Sequence, residues 1–423
     1  MAPIAESTPD APSPTPRLHW EEAGLAHCAR WRSERGAAPP QRIVLADDTL
    51  SADQAYRLAC EGTGLLWRGD FQNARQLLQA LARRIDKPPK ASKQAKVERK
   101  KATVASAQGV PAGQAFHLHR QAQSQRARVL AMVLIEFGAA YDIDLRRAPD
   151  AKLACTEAWG PSELVEPVES VDSVAGEPTT CVAALRELLG VISAHEWRKK
   201  GVEIPALGPA PHNRIHPHYG VFSPVRGEYI ELVAAAPLPT QRPAKLVAFD
   251  IGTGTGVLSA VLALRGMDQV VATDMDPRAL ACARENLQRL HLPHPVKVMS
   301  ADLFPLGLAS VIVCNPPWLP VRPGSPLERA VYDEGGRMLL GFLKGLAAHL
   351  APGGEGWLIL SDFAEHLGLR SRADLLAAIA AGGLKVLGRM DVKPQHPKTL
   401  DLSDPLHAAR AAEITSLWRL AAV

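Results

Sequence analysis

Two short stretches of this chain carry residue types that could do chemistry together. One is Asp250-Ile251-Gly252-Thr253-Gly254-Thr255-Gly256, directly after the apolar run Leu246-Val247-Ala248-Phe249; the other is Asn315-Pro316-Pro317-Trp318, directly after Val311-Ile312-Val313-Cys314. Glycines let a ligand approach the backbone without meeting a Cβ, and amides at the start of a following helix point outward. The spacing is GxGxG, with Val257 where a nicotinamide fingerprint would place its third glycine. The prolines of the second stretch remove backbone donors and stiffen the turn, leaving the Asn315 side-chain oxygen and the Pro316 carbonyl as fixed acceptors. Two acceptors converging on one point suit an NH2 group held by both hydrogens, its lone pair free to meet an electrophile. Trp318 offers a face for a planar amide or base. Each stretch alone also reads as a structural turn. In order, they describe a cofactor site beside a site for a flat acceptor.

Further residues extend the first site. Val270 to Asp274 reads as a strand ending in a carboxylate, where the vicinal hydroxyls of a ribose would be gripped. Asp276 and Pro277 instead read as the cap and first position of the next helix. After a third strand, Asp302 can accept from an exocyclic adenine amine and Leu303 can pack on the ring. The elements that must position these residues alternate cleanly from Ala244 onward, the mark of a doubly wound sheet. Strands are predicted at 245–250, 269–274, 296–300, 310–314 and 355–361. Helices are predicted at 256–265, 277–290, 334–350 and 370–381. Leu384 to Met390 and Ile414 to Leu420 read as an antiparallel pair closing the sheet.

With these motifs in place, the stretch from about Leu246 to Leu360 resembles the class I S-adenosylmethionine-dependent methyltransferases. It is most similar to the branch with an Asn-Pro-Pro-aromatic motif. That branch includes the HemK-type protein-glutamine methyltransferases and the "small domain" methyltransferases of exocyclic amines in RNA bases. Here the aromatic position is Trp318, where Tyr or Phe is commoner, and Asp333-Glu-Gly-Gly-Arg337 stands where the glutamine methyltransferases carry a similar turn before a helix. The resemblance implies an α/β, Rossmann-like seven-stranded methyltransferase sheet with S-adenosyl-L-methionine as cofactor. It implies a cofactor-binding set of Asp250, Gly252, Thr253, Gly254, Gly256, Asp274, Met275, Asp302, Leu303 and Asn315, and a catalytic set of Asn315, Pro316, Pro317 and Trp318. The expected activity is N-methylation of a macromolecule, a protein glutamine or an RNA base, with the translation machinery as a partner. The alternatives are a cofactor-binding scaffold without catalysis and, disfavoured by the GxGxG spacing, a nicotinamide-dependent oxidoreductase.

The rest of the chain bounds these readings. With 423 residues, 47% hydrophobic and 22% charged, two or three domains with sizeable cores are expected. A net charge of +4 is too slight to announce nucleic-acid binding, and six scattered cysteines without a CxxC pair favour reduced thiols. No apolar run approaches the ~18 residues of a membrane span, so a cytoplasmic protein without membrane contact is expected. Residues 1–18 read as a disordered tail and 19–200 as a mostly helical substrate-recognition region. Within it, the Lys-rich segment near 87–108 reads either as a solvated flexible loop or as an electrostatic arm for RNA. Residues 201–243 read as a connector with short strands, such as Tyr229 to Val233, and 244–423 as the methyltransferase domain. His212, His216 and His218 have a conceivable metal spacing, but their Pro neighbours favour a polar loop, and methyl transfer of this kind needs no metal.

Overall fold

A computed structural model describes residues 16–86, 111–162, 180–240, 244–324, 328–395 and 399–423. The tail up to residue 15 and the Lys-rich segment lie outside the described residues. The chain divides into two compact units, one from 1–87 with 126–189, the other from 88–125 with 190–423.

The first unit is built on a mixed six-stranded sheet in the order β1-β2-β6-β5-β4-β3. Its strands are β1 (Arg17–Glu22), β2 (Leu25–Arg32), β3 (Arg42–Ala46), β4 (Thr63–Trp67), β5 (Val133–Phe137) and β6 (Cys181–Ala184). Helices α1 (Ala52–Cys60), α2 (Phe71–Asp86) and α4 (Lys152–Trp159) belong to it as well. Two further helices are divided between the units at Gln125/Arg126 and Leu189/Gly190: α3 (Ala112–Leu130) and α5 (Leu185–Lys200). A mostly helical region was expected here, and the sheet corrects that expectation. The apolar spacing at Phe71, Ala74, Leu77, Leu78 and Leu81 does mark a helix. The runs Leu65-Leu66 and Val133 to Phe137 are strands buried almost throughout. A strand covered on both faces has no alternation, so its apolar run looks like a helix segment.

The second unit opens with two short strands, β7 (Val202–Glu203) and β8 (Arg214–Ile215), which pair antiparallel. Tyr229 to Val233, expected as a strand, lies on helix α6 (Glu228–Ala235). Tyr229, Ile230, Leu232 and Val233 are all buried, and a helix covered on most sides carries a continuous apolar run. The seven-stranded Rossmann-like sheet follows. Its strands are β9 (Val247–Ile251), β10 (Gln269–Asp274), β11 (Val296–Ser300), β12 (Ala309–Cys314), β13 (Leu350–Ser361), β14 (Leu384–Val392) and β15 (Thr415–Ala422). They lie in the order β11-β10-β9-β12-β13-β15-β14, parallel except for β15, which runs antiparallel to both its neighbours. Helices α7 (Val257–Leu264), α8 (Pro277–Arg289), α9 (Arg337–His349), α10 (Phe363–His366), α11 (Arg372–Ala381) and α12 (His407–Ala412) complete the unit. Successive residues of β9 feed opposite cores: Ala248 packs with α6 and α7, Phe249 with α9 and α11. The chain winds outward from β9 to β11 and then returns to β12. The reversal falls between β9 and β12, where sheets of this type bind ligands at the carboxyl ends of their strands.

Candidate active site

Register brings the two motifs together. Cys314 pairs with Ile251 across β12 and β9, so Asn315 emerges beside Gly252. On the other side, Ile251 pairs with Thr273, and Asp274 with Ser300. Ser300, Asp274, Gly252 and Asn315 therefore stand in one row at the strand tips, neighbouring strands lying ~4.8 Å apart.

The glycine loop is pinned from beneath. Asp250 is fully buried, and its Oδ2 accepts from Thr253 Oγ1 (2.7 Å), Ser259 N (3.0 Å) and Ser259 Oγ (2.7 Å). Burial pushes its carboxyl up to about 6 despite these donors. Asp250 and Thr253, expected in the cofactor set, are thus turned into the loop they hold together. The amides of Gly252 and Thr253 both donate to the Thr273 carbonyl at 2.9 Å. The loop's three glycines all take a positive φ but face different neighbours. A Cβ on Gly252 would collide with the Met338 methyl from α9, and one on Gly256 would meet Ala283 and Leu287 of α8 at 3.3 Å. A Cβ on Gly254 would meet nothing within 4 Å, so open space lies over that residue.

Asp274 faces the same loop. Its Oδ2 accepts from Gly254 N and its Oδ1 from Asp276 N, each at 3.0 Å, so each oxygen keeps acceptor capacity for a hydroxyl. Burial raises its carboxyl above the usual range. Asp276 caps α8 through Arg278 N (2.8 Å), with Pro277 at the first turn, the division of labour its sequence suggested. Met275 is exposed. Leu303 holds a left-handed φ of +72°, and its carbonyl accepts from Thr273 Oγ1 at 2.6 Å. Asp302 is engaged by Arg337, the first residue of α9, at 2.7 Å, with both side chains more than half exposed. A donor from a bound adenine would share that carboxylate with the guanidinium.

On the acceptor side, Trp318 differs from expectation. Its Nε1–H donates to Asn315 Oδ1 at 2.9 Å, and its ring packs against both core clusters flanking the sheet. The carboxamide oxygen already has one donor and keeps one lone pair for another. Leu319, the next residue, is stapled to the segment before α9: its N–H donates to Val331 O (3.3 Å) and its carbonyl accepts from Asp333 N (2.9 Å). The Asp333 carboxylate accepts from Met338 N at 2.7 Å, covering the start of α9 behind a turn in which Gly335 and Gly336 take positive φ.

Four supporting residues carry no signal in the motifs. Thr273 ties glycine loop to adenine-side turn; Ser259 satisfies Asp250; Met338 abuts Gly252. The fully buried Asn286 donates to Thr255 O (3.1 Å) and His216 O (3.2 Å), and its Oδ1 accepts from His216 N (2.7 Å). For Asn286, a polar residue on the apolar face that Ala283 and Leu287 define was the available clue. The histidines are spoken for otherwise: His216 Nδ1 lies 2.6 Å from Arg198 O, His218 Nε2 lies 2.7 Å from Glu285 Oε2, and His212 meets the His291 ring. Among the described residues no group of three His, Cys, Asp or Glu side chains could hold a metal ion, and no helix is long and apolar enough to cross a membrane.

A family model covers this part of the chain. Residues 212–372 match the family model "Methyltransferase small domain". A ribosomal protein L11 methyltransferase of Chelativorans sp. (strain BNC1) is 31% identical over 150 residues, 36% of this chain and 45% of that protein. An L11 methyltransferase of Citrifermentans bemidjiense is 29% identical over 154 residues, 36% of this chain and 40% of the relative. A release factor glutamine methyltransferase of Moorella thermoacetica is 39% identical over 117 residues, 26% of this chain and 41% of the relative. The chain thus spans less than half the length of each of these three relatives. The matched segment, from His212 to Arg372, is similar to the methyltransferase small-domain family and holds the glycine loop, both acidic tips and the Asn-Pro-Pro-Trp turn.

Proposed function

We propose that the second unit transfers a methyl group to a planar nitrogen, an amide or exocyclic amine, of a macromolecule. The cofactor is S-adenosyl-L-methionine, which supplies an electrophilic methyl when bound. One observation carries the reading: the pairing that sets Asn315 beside Gly252 puts a carboxamide next to a loop whose middle glycine borders open space. The residues present fit the cofactor. The open backbone at Gly254 admits its main body, Asp274 retains lone pairs for the ribose hydroxyls, and Asp302 with Leu303 borders the adenine end. Asn315 Oδ1 and the Pro316 carbonyl would hold the acceptor's NH2 and aim its lone pair. Rate enhancement then comes mainly from alignment in a polar, shaped site. The proton can leave once the nitrogen has become cationic, so no strong base is needed.

The names of the relatives, an L11 methyltransferase and a release factor glutamine methyltransferase, support a protein acceptor in the translation machinery over an RNA base. The test is twofold. Calorimetry with S-adenosylhomocysteine and with NAD should show binding of the first only. A tritiated-methyl assay on cell extract should give label that protease removes and ribonuclease does not. Asn315→Ala should lower turnover by roughly 100-fold, as for a misplaced reacting group, and leave S-adenosylhomocysteine affinity within about twofold. Unchanged turnover in that variant would refute the role of Asn315.

A further inference from the structure

We infer that Arg120, on the part of α3 that belongs to the second unit, is a positioning residue for the segment leading out of the Asn-Pro-Pro-Trp turn. This rests on the methyl-transfer reading and adds a residue no motif marks. One turn before it, Phe116 is buried with Leu319, Phe363, Leu367 and Leu406, which seats this helix against the residue following Trp318. Arg120 then reaches across the excursion between Leu319 and Tyr332. Its Nη2 donates to the Arg322 carbonyl at 3.0 Å and lies 3.5 Å from Glu328 Oε2, and its guanidinium sits 4.3 Å from the Tyr332 ring centroid. Glu328 Oε2 also accepts from Gly324 N at 2.8 Å.

One planar cation therefore joins a carbonyl early in the excursion, a carboxylate in its later half and an aromatic ring at its end. A guanidinium serves three such partners from one plane; a lysine ammonium, a point donor without a face, does not. The excursion's two ends are zipped where Leu319 pairs with Val331 and Asp333. Arg120 adds a second tie between the two arms, at Arg322 on one and at Glu328 and Tyr332 on the other, and so restrains the segment that leads away from Asn315. Asp333, immediately beyond, receives the Met338 amide, and Met338 lies against Gly252. Arg120 itself acts through the acceptor side of the site.

The experiment uses the full chain and the variants Arg120→Ala, Arg120→Lys and, as a packing control, Phe116→Leu. Limited trypsin digestion reads the excursion without any substrate, since the Arg329–Ala330 bond lies within it. Arg120→Ala should be cut there about 10-fold faster than the unsubstituted protein, with S-adenosylhomocysteine affinity unchanged. In the tritiated-methyl assay its kcat should fall about 10-fold or more at constant KM for the cofactor, in line with the cost of small misplacements. Arg120→Lys should recover only part, and Phe116→Leu should lower thermal stability without the same loss of kcat. Equal cleavage at Arg329 in Arg120→Ala, or wild-type kcat in that variant, overturns the inference. If the unsubstituted protein binds S-adenosylhomocysteine but labels nothing, the acceptor reading fails by itself, and the cleavage rates still decide whether Arg120 holds the segment.

Discussion

At Gly254 the backbone takes a φ of +55° with empty space beyond its α-carbon, whereas at Gly256 the same kind of turn lies hard against α8. Alanine at either position must adopt a left-handed backbone, at a cost of about 1–2 kcal/mol. At Gly256 the added methyl also presses on the Ala283 backbone, so Gly256→Ala should be the more destabilised of the two by urea denaturation. At Gly254 the methyl enters open space, which on the proposed reading is the route of the cofactor. Gly254→Ala should therefore lose more than 10-fold in S-adenosylhomocysteine affinity by calorimetry while remaining the better folded, a reversal of rank that a purely structural loop would not give. Asp250 permits a prediction about pH. Its folded pKa, about 6, stands above the ordinary 3.8 because the carboxylate is buried. The folded state therefore favours the protonated form, and that contribution is complete below about pH 3.8 and lost as pH rises through 6. The gap between those two values corresponds to roughly 3 kcal/mol at most. Asp250→Asn keeps an acceptor for Ser259 and Thr253 but has no proton to lose. Stability measured from pH 4 to 7 should fall in the unsubstituted protein relative to this variant.

On the scale of elements, the site is a set of strand tips held by the helices that follow them. α8 is fixed twice, by the Asp276 cap at its start and by Asn286 further along. Asn286 connects that helix to the glycine loop through Thr255 and to the 214–218 segment through His216. Asn286→Leu fits the apolar face but strands the His216 amide and the Thr255 carbonyl, while His216 O keeps Cys282 Sγ; this should cost about 2–6 kcal/mol by denaturation at 1–3 kcal/mol for each buried group left unpaired. Nearby, Glu285 is gathered by Arg289, His218 and Arg198. Burial alone would raise its carboxyl, but these partners bring it down to about 2. α9 is held at its start by Asp333, which stands in for an N-cap through the Met338 amide. Asp333→Ala should cost about 1 kcal/mol, as other lost caps do. It should also loosen Met338 over Gly252, seen as weaker S-adenosylhomocysteine binding.

At the scale of the whole molecule, the chain contains two sheets with parallel strands, and among the described residues the glycines at their tips differ. In the first unit the glycines that follow β4 and β5 are filled from within. A Cβ on Gly69 would meet Asp48 Oδ1 at 2.5 Å, and one on Gly138 would collide with Asp142 Oδ2. The Asp48 carboxylate also accepts the Asp70 amide at 3.0 Å. A ligand there would have to displace a carboxylate already hydrogen-bonded to the loop. Hydrogen exchange with saturating S-adenosylhomocysteine should accordingly protect amides of residues 251–256 and 274–276 while leaving those of β3, β4 and β5 at their original rates. At 100 times the dissociation constant, ligand binding should stabilise the second unit by about 2.7 kcal/mol.

The motifs of the second unit were legible because each lies within a few consecutive residues: a glycine loop, an acid ending a strand, a proline-stiffened turn, a cap followed by proline. Local patterns of that kind are set by backbone sterics and hydrogen bonding over one or two turns of chain, so β10 and β11 were predicted at their observed bounds and α8 to within a residue. Three matters lay beyond such patterns. Apolar runs at Leu65, Val133 and Tyr229 carry no period that separates a strand buried on both faces from a buried helix. The partners of Asp250, Trp318 and Asp302 are chosen by packing between side chains, which turned one expected ligand inward, gave one carboxamide an indole donor and paired one carboxylate with Arg337. Arg120 lies almost two hundred positions before the turn it braces, and no spacing rule reaches across that distance. Sequence alone determined which groups stand at the strand ends. Tertiary structure decided which of them remain open to a ligand, because only packing settles what fills the space above each tip.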